Sequence, residues 1–212
     1  MRVNHIFIFC DNHDEVAAEF IQYGFIEGSS RIHPNQGTRN RKFYFHNFYI
    51  EILWVHNSIE ALNAITAPTK LYERSEYKNN NYSPFGLCVD YVKEDDLVFE
   101  NCYIYKPSYL PKGMQIEVLR NEDAKTLPWT FRWNTDLSNT PVNEPINLKE
   151  QNLVQAVFGI STKKVHNNYL SLFQSTTIVF QDAKSEYLHL VFDAQNNKKM
   201  KVFTTVPLII EH

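Results

Sequence analysis

The chain has 212 residues, 21 Lys+Arg against 24 Asp+Glu for a formal net charge of −3, and 14% aromatic residues beside only 6 Gly. That length carries a hydrophobic core without disulfide staples, and the near-neutral charge lacks the basic footprint of a nucleic-acid or membrane-surface binder. Cys10, Cys88 and Cys102 are too scattered for a disulfide framework or a thiolate metal site. No apolar run is long enough for a bilayer span or a signal peptide, so a reduced cytoplasm is the expected setting.

Residues 3–10 read as a strand with Val3, His5, Phe7 and Phe9 on one face and Asn4, Ile6, Ile8 and Cys10 on the other. Asp11 or Asn12 caps a helix through residues 15–21, which Gly24 ends. Residues 25–31 are extended, 33–38 form a polar turn, and 42–45 with 48–55 form a hairpin across His46-Asn47. Residues 57–82 make a helix-and-loop connection. Further strands are expected at 84–91, 102–105, 114–119 and 129–133, with a proline-fixed loop at 106–113 and a linker at 140–145. The C-terminal part then repeats the opening order, with a strand at 153–160, a helix at 164–173, strands at 177–181 and 186–192, and a closing edge strand at 207–211. Aligning VNHIFIF with LVQAVFG sets His5 opposite Gln155, and aligning FYIEILW with EYLHLVF sets Glu51 opposite His189.

Glu51 asks for an explanation because it shares a strand face with Tyr49, Leu53 and Val55 in a run that otherwise reads as core. A buried carboxylate is costly unless a cation, a hydrogen-bond donor or a metal compensates it. His5 is likewise a lone imidazole among Val3, Phe7 and Phe9. The two either belong to a functional cleft or pair with each other as a buried, metal-free polar contact. In the loop 31–41, Gly37 supplies a positive-φ turn, and Arg31, His33, Thr38 and Asn40 are suited to a substrate carboxylate or carbonyl. The opposing reading is a solvated turn, which is favoured for the charge cluster Arg39, Arg41 and Lys42. Trp54, Phe85, Tyr105, Tyr109, Trp129, Phe131 and Trp133 are candidates for the walls of an apolar pocket, although most read as core. No P-loop, dinucleotide fingerprint or G-x-S-x-G elbow is present.

The runs NHIFIF, HPNQGTRNRKFYFHNFYIEILWV, SPFGLCVDY and YKPSYLPKGMQIEV resemble the glyoxalase-like proteins of the vicinal oxygen chelate superfamily, which includes glyoxalase I, extradiol dioxygenases and the bleomycin resistance proteins. The resemblance is strongest over residues 3–56 and weakens beyond 120. It implies an α+β fold of two βαβββ units in a curved mixed sheet around a shared cleft. The single domain 1–212 is then a first unit at 1–56, inserted strands at 83–133 and a second unit at 152–212. It also implies a metal site with one ligand on the first and one on the last strand of each unit: His5, Glu51, Gln155 and His189. His189 departs from the commoner Glu.

Such a set suits Zn, Ni, Mn, Co or Fe(II) acting as a Lewis acid, with Glu51 as general base and Arg31, His33, Thr38, Asn40, Trp54 and Tyr109 around the substrate. The leading expectation is a small-molecule enzyme of this type, whose fold does not choose among lyase, isomerase and dioxygenase chemistry. A metal-free binding or sequestration protein is the alternative. A sheet-edge interaction module, with a possible homodimer, is the third.

Overall fold

Alternating apolar side chains give the first strand, β1 (Val3–Phe9), two buried faces, and the rest of the chain is arranged around it. The structure is a computed structural model that describes residues 1–120, 124–137, 143–148, 151–161, 167–174, 177–193 and 198–212. β1 pairs in parallel with β4 (Tyr49–Val55) and antiparallel with β5 (Phe85–Val89). Beyond β4 the sheet continues through β3 (Thr38–Phe45) to β2 (Ser30–His33). Beyond β5 it continues through β8 (Trp129–Trp133) and β7 (Ile116–Val118) to β6 (Tyr103–Tyr105). The short β9 (Ile146–Asn147) adds to β3 and completes a nine-stranded curved mixed sheet.

The α+β class and the curved sheet are those the resemblance implies, but the strands that complete the sheet differ from expectation. On both sides of the β1–β5 pair the first strand is parallel to the last, the last antiparallel to the third, and the third antiparallel to the second. Residues 85–133 are therefore the counterpart of the first unit, with a short 3₁₀ turn at Lys93–Asp95 in the place of its helix. They are not an insertion. The expected second unit instead supplies β10 (Leu153–Ile160), β11 (Ile178–Asp182), β12 (Tyr187–Phe192), β13 (Met200–Val202) and β14 (Leu208–Glu211) to a separate five-stranded sheet. The expected linker at 140–145 and helix at 164–173 fall partly outside the described residues; within them, α5 spans Asn167–Ser171.

The main sheet has two different faces. Its back, with Ile6, Ile8, Phe43, Ile50, Ile52, Phe85 and Leu87, shares one core with Ala156, Phe158, Leu188, Leu190 and Ile210 of the second sheet. Phe85 meets Phe158 at 5.9 Å between ring centroids, and Phe45 meets Phe192 at 5.3 Å. Helix α1 (His13–Gln22) closes the same core with Val16, Ala17 and Phe20. Asp14 and Glu15 in its first turn complement the helix dipole. Gly24, at φ 105°, turns the chain out of the helix. Each large apolar side chain buried here contributes about 1.5–3 kcal/mol.

Glu19 on α1 ties the helix to the second sheet. It accepts hydrogen bonds from the backbone N–H of Thr204 and Thr205 and from Lys201 Nζ at 3.0 Å. The front face is covered by α3 (Leu71–Ser75), whose Leu71 joins Phe7, Phe9, Leu53, Tyr105, Trp129 and Phe131. The helical turns α2 (Ser58–Ala61) and α4 (Tyr77–Asn80) flank it.

Candidate functional site

Register across the sheet lays the front-face side chains in rows. One row runs Lys42, Glu51, Phe7, Gly86, Trp129 across β3, β4, β1, β5 and β8. The next runs Tyr44, Tyr49, His5, Cys88, Phe131. On β2, Arg31 stands opposite Asn40 and His33 opposite Thr38. Lys42, Glu51, Phe7, Trp129, Tyr49, His5 and Phe131 of these rows, with Arg31, His33, Gln36, Leu53, Leu71, Tyr109, Ile116 and Trp133, line a cleft that opens to solvent.

Glu51 is 8% exposed at this cleft, and Asn40 Nδ2 donates to its Oε1 at 3.0 Å. Burial raises its pKa, while Lys42, the Asn40 hydrogen bond and Arg31 act in the opposite sense. His5 is stacked on Tyr49 at 4.5 Å and meets the Phe131 ring edge-on at 5.5 Å. Its Nδ1 lies 2.8 Å from Asn4 Oδ1, and Asn4 Nδ2 donates to Asp90 Oδ1 at 2.9 Å. With its amide nitrogen so engaged, Asn4 accepts from the His5 Nδ1–H, which leaves Nε2 with its lone pair. Burial, with the Lys42 charge and His33 behind it, pushes the His5 pKa down to about 3, so the ring is neutral.

His33 is held by a different network. Its Nδ1 sits 2.8 Å from Thr38 Oγ1, which accepts from Gln36 Nε2 at 2.7 Å. Gln36 Oε1 in turn accepts from the hydroxyls of Tyr105 at 3.0 Å and Tyr109 at 2.9 Å. Burial, aided by Arg31 and Lys42, pushes His33 down to about 3 as well. Arg31 lies at the exposed rim, donating to the Tyr109 carbonyl at 3.3 Å with its guanidinium 5.3 Å from that ring. The Lys42 ammonium lies 5.8 Å from the Tyr49 ring and 6.0 Å from the Tyr44 ring.

The structure thus brings His5, Arg31, His33, Glu51 and Tyr109 to one cleft, and it corrects the remaining expectations. Thr38 and Asn40 are fully buried and act through His33 and Glu51 rather than on a ligand. Trp54 belongs to the back face, stacked on His13 at 3.9 Å, because strand alternation turns it away from Glu51. Gly37 does adopt a positive φ of 73°, but a Cβ there would meet the Asn57 carbonyl oxygen at 2.1 Å. Its freedom serves that packing and not a ligand. Gln155 is exposed on β10, and His189 on β12 lies 3.3 Å from Glu211, so both are in the other sheet.

The second pair of metal positions that the resemblance implies can be sought by register. Glu51 pairs with the residue two beyond His5, and the same relation on β5 and β8 selects Gly86 with Phe131. Neither is a ligand. A Cβ at Gly86 would meet the Phe7 ring at 2.0 Å, so a phenyl ring fills the space a ligand side chain would need. Shifting one alternation along gives Cys88 and Trp133, and the Cys88 thiol is buried with its pKa raised well above the ordinary value by that burial. Among the described residues, no three His, Cys, Asp or Glu side chains converge as a metal site. The residues present do not fit the four-ligand centre.

Three polar lining residues escaped the sequence reading: Lys42, Gln36 and Tyr49. Alternation offered the signal for Lys42, since Thr38, Asn40 and Lys42 share a strand face.

No family model matches the chain, and no curated protein does. Among solved structures, a hypothetical protein from Staphylococcus aureus superposes with a TM-score of 0.64 at 16% identity, covering 99% of this chain and 98% of that one. A Streptomyces coelicolor methylmalonyl-CoA epimerase in complex with 2-nitronate-propionyl-CoA gives a TM-score of 0.42 at 17% identity over 66% of this chain and 99% of its own. A hypothetical protein from Bacillus halodurans C-125 gives 0.42 at 13% identity over 67% of this chain and 98% of its own. At these identities the likeness is one of fold. No helix among the described residues is long and apolar enough to cross a membrane.

Proposed function

We propose that the protein is a small-molecule enzyme of vicinal-oxygen-chelate architecture, taking an oxygen-bearing ligand with an apolar body into the front-face cleft, where Glu51 exchanges a proton with it and His5 accepts a hydrogen bond from it. The observation that carries the reading is Glu51. Its carboxyl group is almost wholly withdrawn from water at an open, aromatic-walled cleft, with one hydrogen bond from Asn40. Burial raises the Glu51 carboxyl pKa, the direction that makes its carboxylate the stronger base, and keeps His5 neutral as a hydrogen-bond acceptor. His5 offers the Nε2 lone pair as acceptor, and the Asn4–Asp90 pair behind it holds the tautomer.

Trp129 and Trp133 in the cleft wall give the test its signal. Tryptophan emission is followed against a panel of 1,2-diketones, 2-hydroxy acids and phenols. Saturable binding is expected, together with uptake of solvent deuterium at an acidic C–H of the bound compound. Glu51→Gln should abolish the exchange and keep the binding. A panel that leaves the emission unchanged would refute the reading.

The metal-dependent alternative, with Zn, Ni, Mn, Co or Fe(II), retains one favourable observation: His5 and Glu51 lie on one face of neighbouring strands. Metal titration followed by the same tryptophan signal separates the two, because saturable binding of a divalent ion lost in both His5→Ala and Glu51→Ala belongs only to the alternative.

A further inference from the structure

We propose that the ligand of this cleft is a monocarboxylate, its carboxylate held between Arg31 and Lys42 and its flat apolar body lying against Trp129 and Phe131. The inference rests on the cleft reading above and names the class of molecule that the cleft takes.

Charge is the first argument. Arg31 and Lys42 bring two positive charges to the lining, and the imidazoles of His5 and His33 add no negative charge in either protonation state. Among the described residues, Glu51 is the one carboxyl group lining the cleft. The cleft is therefore net positive whether Glu51 is ionised or not, in a chain whose formal net charge is −3. A concave, apolar-walled site of one sign focuses its field on ligands of the other.

The state of the two cations is the second. Among the described residues neither Arg31 nor Lys42 has a carboxylate within ion-pair distance. Arg41, beside Lys42 on β3 but on the back face, is clamped by Glu27 and Asp14 at 2.6 and 2.7 Å. The same strand thus clamps its back-face cation in ion pairs, while its cleft-face cation stands opposite Glu51 without an ion pair.

Direction across the sheet is the third. Lys42 and Arg31 lie on β3 and β2, the aromatic wall lies on β8, and His5 and Glu51 lie between them on β1 and β4. A ligand anchored by a carboxylate at one side and an apolar body at the other lays its middle over Glu51 and His5. A single negative charge matches the surplus left when Glu51 is ionised. A dianion would instead set its second charge against Glu51.

The test titrates phenylacetate, its neutral isostere phenylacetamide and the dianion phenylmalonate into the protein, following tryptophan emission. Phenylacetate should bind at least about tenfold more tightly than the amide, the scale of one charge-assisted contact. Arg31→Met and Lys42→Met should each weaken phenylacetate by about that factor and leave the amide unchanged. Arg39→Met, on the back face, should change neither. Unchanged melting midpoints separate lost contacts from lost fold. Equal affinity for acid and amide, or phenylacetate binding indifferent to both substitutions, overturns the carboxylate assignment while the cleft reading stands. Preference for phenylmalonate overturns the choice of a monoanion. If none of the three binds, the cleft reading falls with it.

Discussion

Gly86→Ala tests the packing that defines the cleft floor. Gly86 sits in the middle of β5, and a Cβ added there would meet three atoms of the Phe7 ring at 2.0, 2.1 and 2.4 Å. An ordinary contact is about 3.4 Å, so the ring must retreat by about 1.4 Å from the nearest of these positions. It has little room, because Phe9, Trp129 and Phe131 stand 5.3, 6.0 and 6.3 Å away between centroids. Overpacking of this kind costs about 1–3 kcal/mol, against about 0.4–1 kcal/mol gained by stiffening the unfolded chain. A net loss of about 1–2 kcal/mol is expected, lowering the melting midpoint by about 2–4 °C per kcal/mol for a chain of this size. Urea unfolding of Gly86→Ala, Phe7→Ala and the double variant provides the assay. Phe7→Ala alone should cost about 3–5 kcal/mol, and the double variant should be at least about 1 kcal/mol more stable than the two losses added together. A neutral Gly86→Ala, or strictly additive losses, would refute the argument that Phe7 occupies the glycine's missing side chain.

Three further predictions concern buried polar groups. Glu51 has a folded-state pKa above its ordinary 4.5, so its contribution to stability is present below that value and is lost as pH rises through the raised one. Glu51→Gln should accordingly gain on wild type as pH increases from 4.5, read from urea midpoints across a pH series; a gap that stays constant would count against the shift. His5 and His33 remain neutral down to about 3, whereas unfolded imidazoles protonate near 6.5, so their contribution is lost as pH falls through that window. Nitrogen NMR should find His5 protonated at Nδ1 and unprotonated at Nε2 at pH 5, with the Nδ1 signature altered in Asn4→Ala. Burial would raise the pKa of Glu19, but hydrogen bonds from Lys201, Thr205 and Thr204 hold it down at about 2. Glu19→Ala should cost about 2–3 kcal/mol, speed amide exchange at Thr204 and Thr205, and matter less as pH falls from 4.5 towards 2.

Strand positions were legible because alternation of apolar residues marks an extended segment whatever its partners. The runs at 84–91, 102–105, 114–119 and 129–133 contain β5 to β8. What alternation does not encode is pairing. Leu153–Ile160 and Tyr187–Phe192 resemble β1 and β4 as apolar strands, and that likeness drew the second unit to the wrong segment. The true counterpart was disguised by three-residue strands at Tyr103–Tyr105 and Ile116–Val118 and by a helix reduced to one turn. At the site, period two placed His5 and Glu51 correctly on their strand faces, and Trp54 lies one residue out of that phase. Lys42 was hidden by its neighbours, since Arg39 and Arg41 beside it made a solvated charge run the simpler reading.

The cover on the back of the main sheet has a consequence for how the chain is made. Among the described residues, every one lining the cleft lies at or before Trp133, whereas the strands that bury Ile6, Ile8, Phe85 and Leu87 come from 153 onwards. At about 5–20 residues per second, a nascent chain that has just finished the cleft waits about 4–16 s for its last strand. Through that interval one side of a finished sheet presents bare apolar surface. A product stopped near residue 150 would hold every chemical group of the cleft and still aggregate, so the closing sheet is as necessary to a usable protein as the carboxylate it never touches.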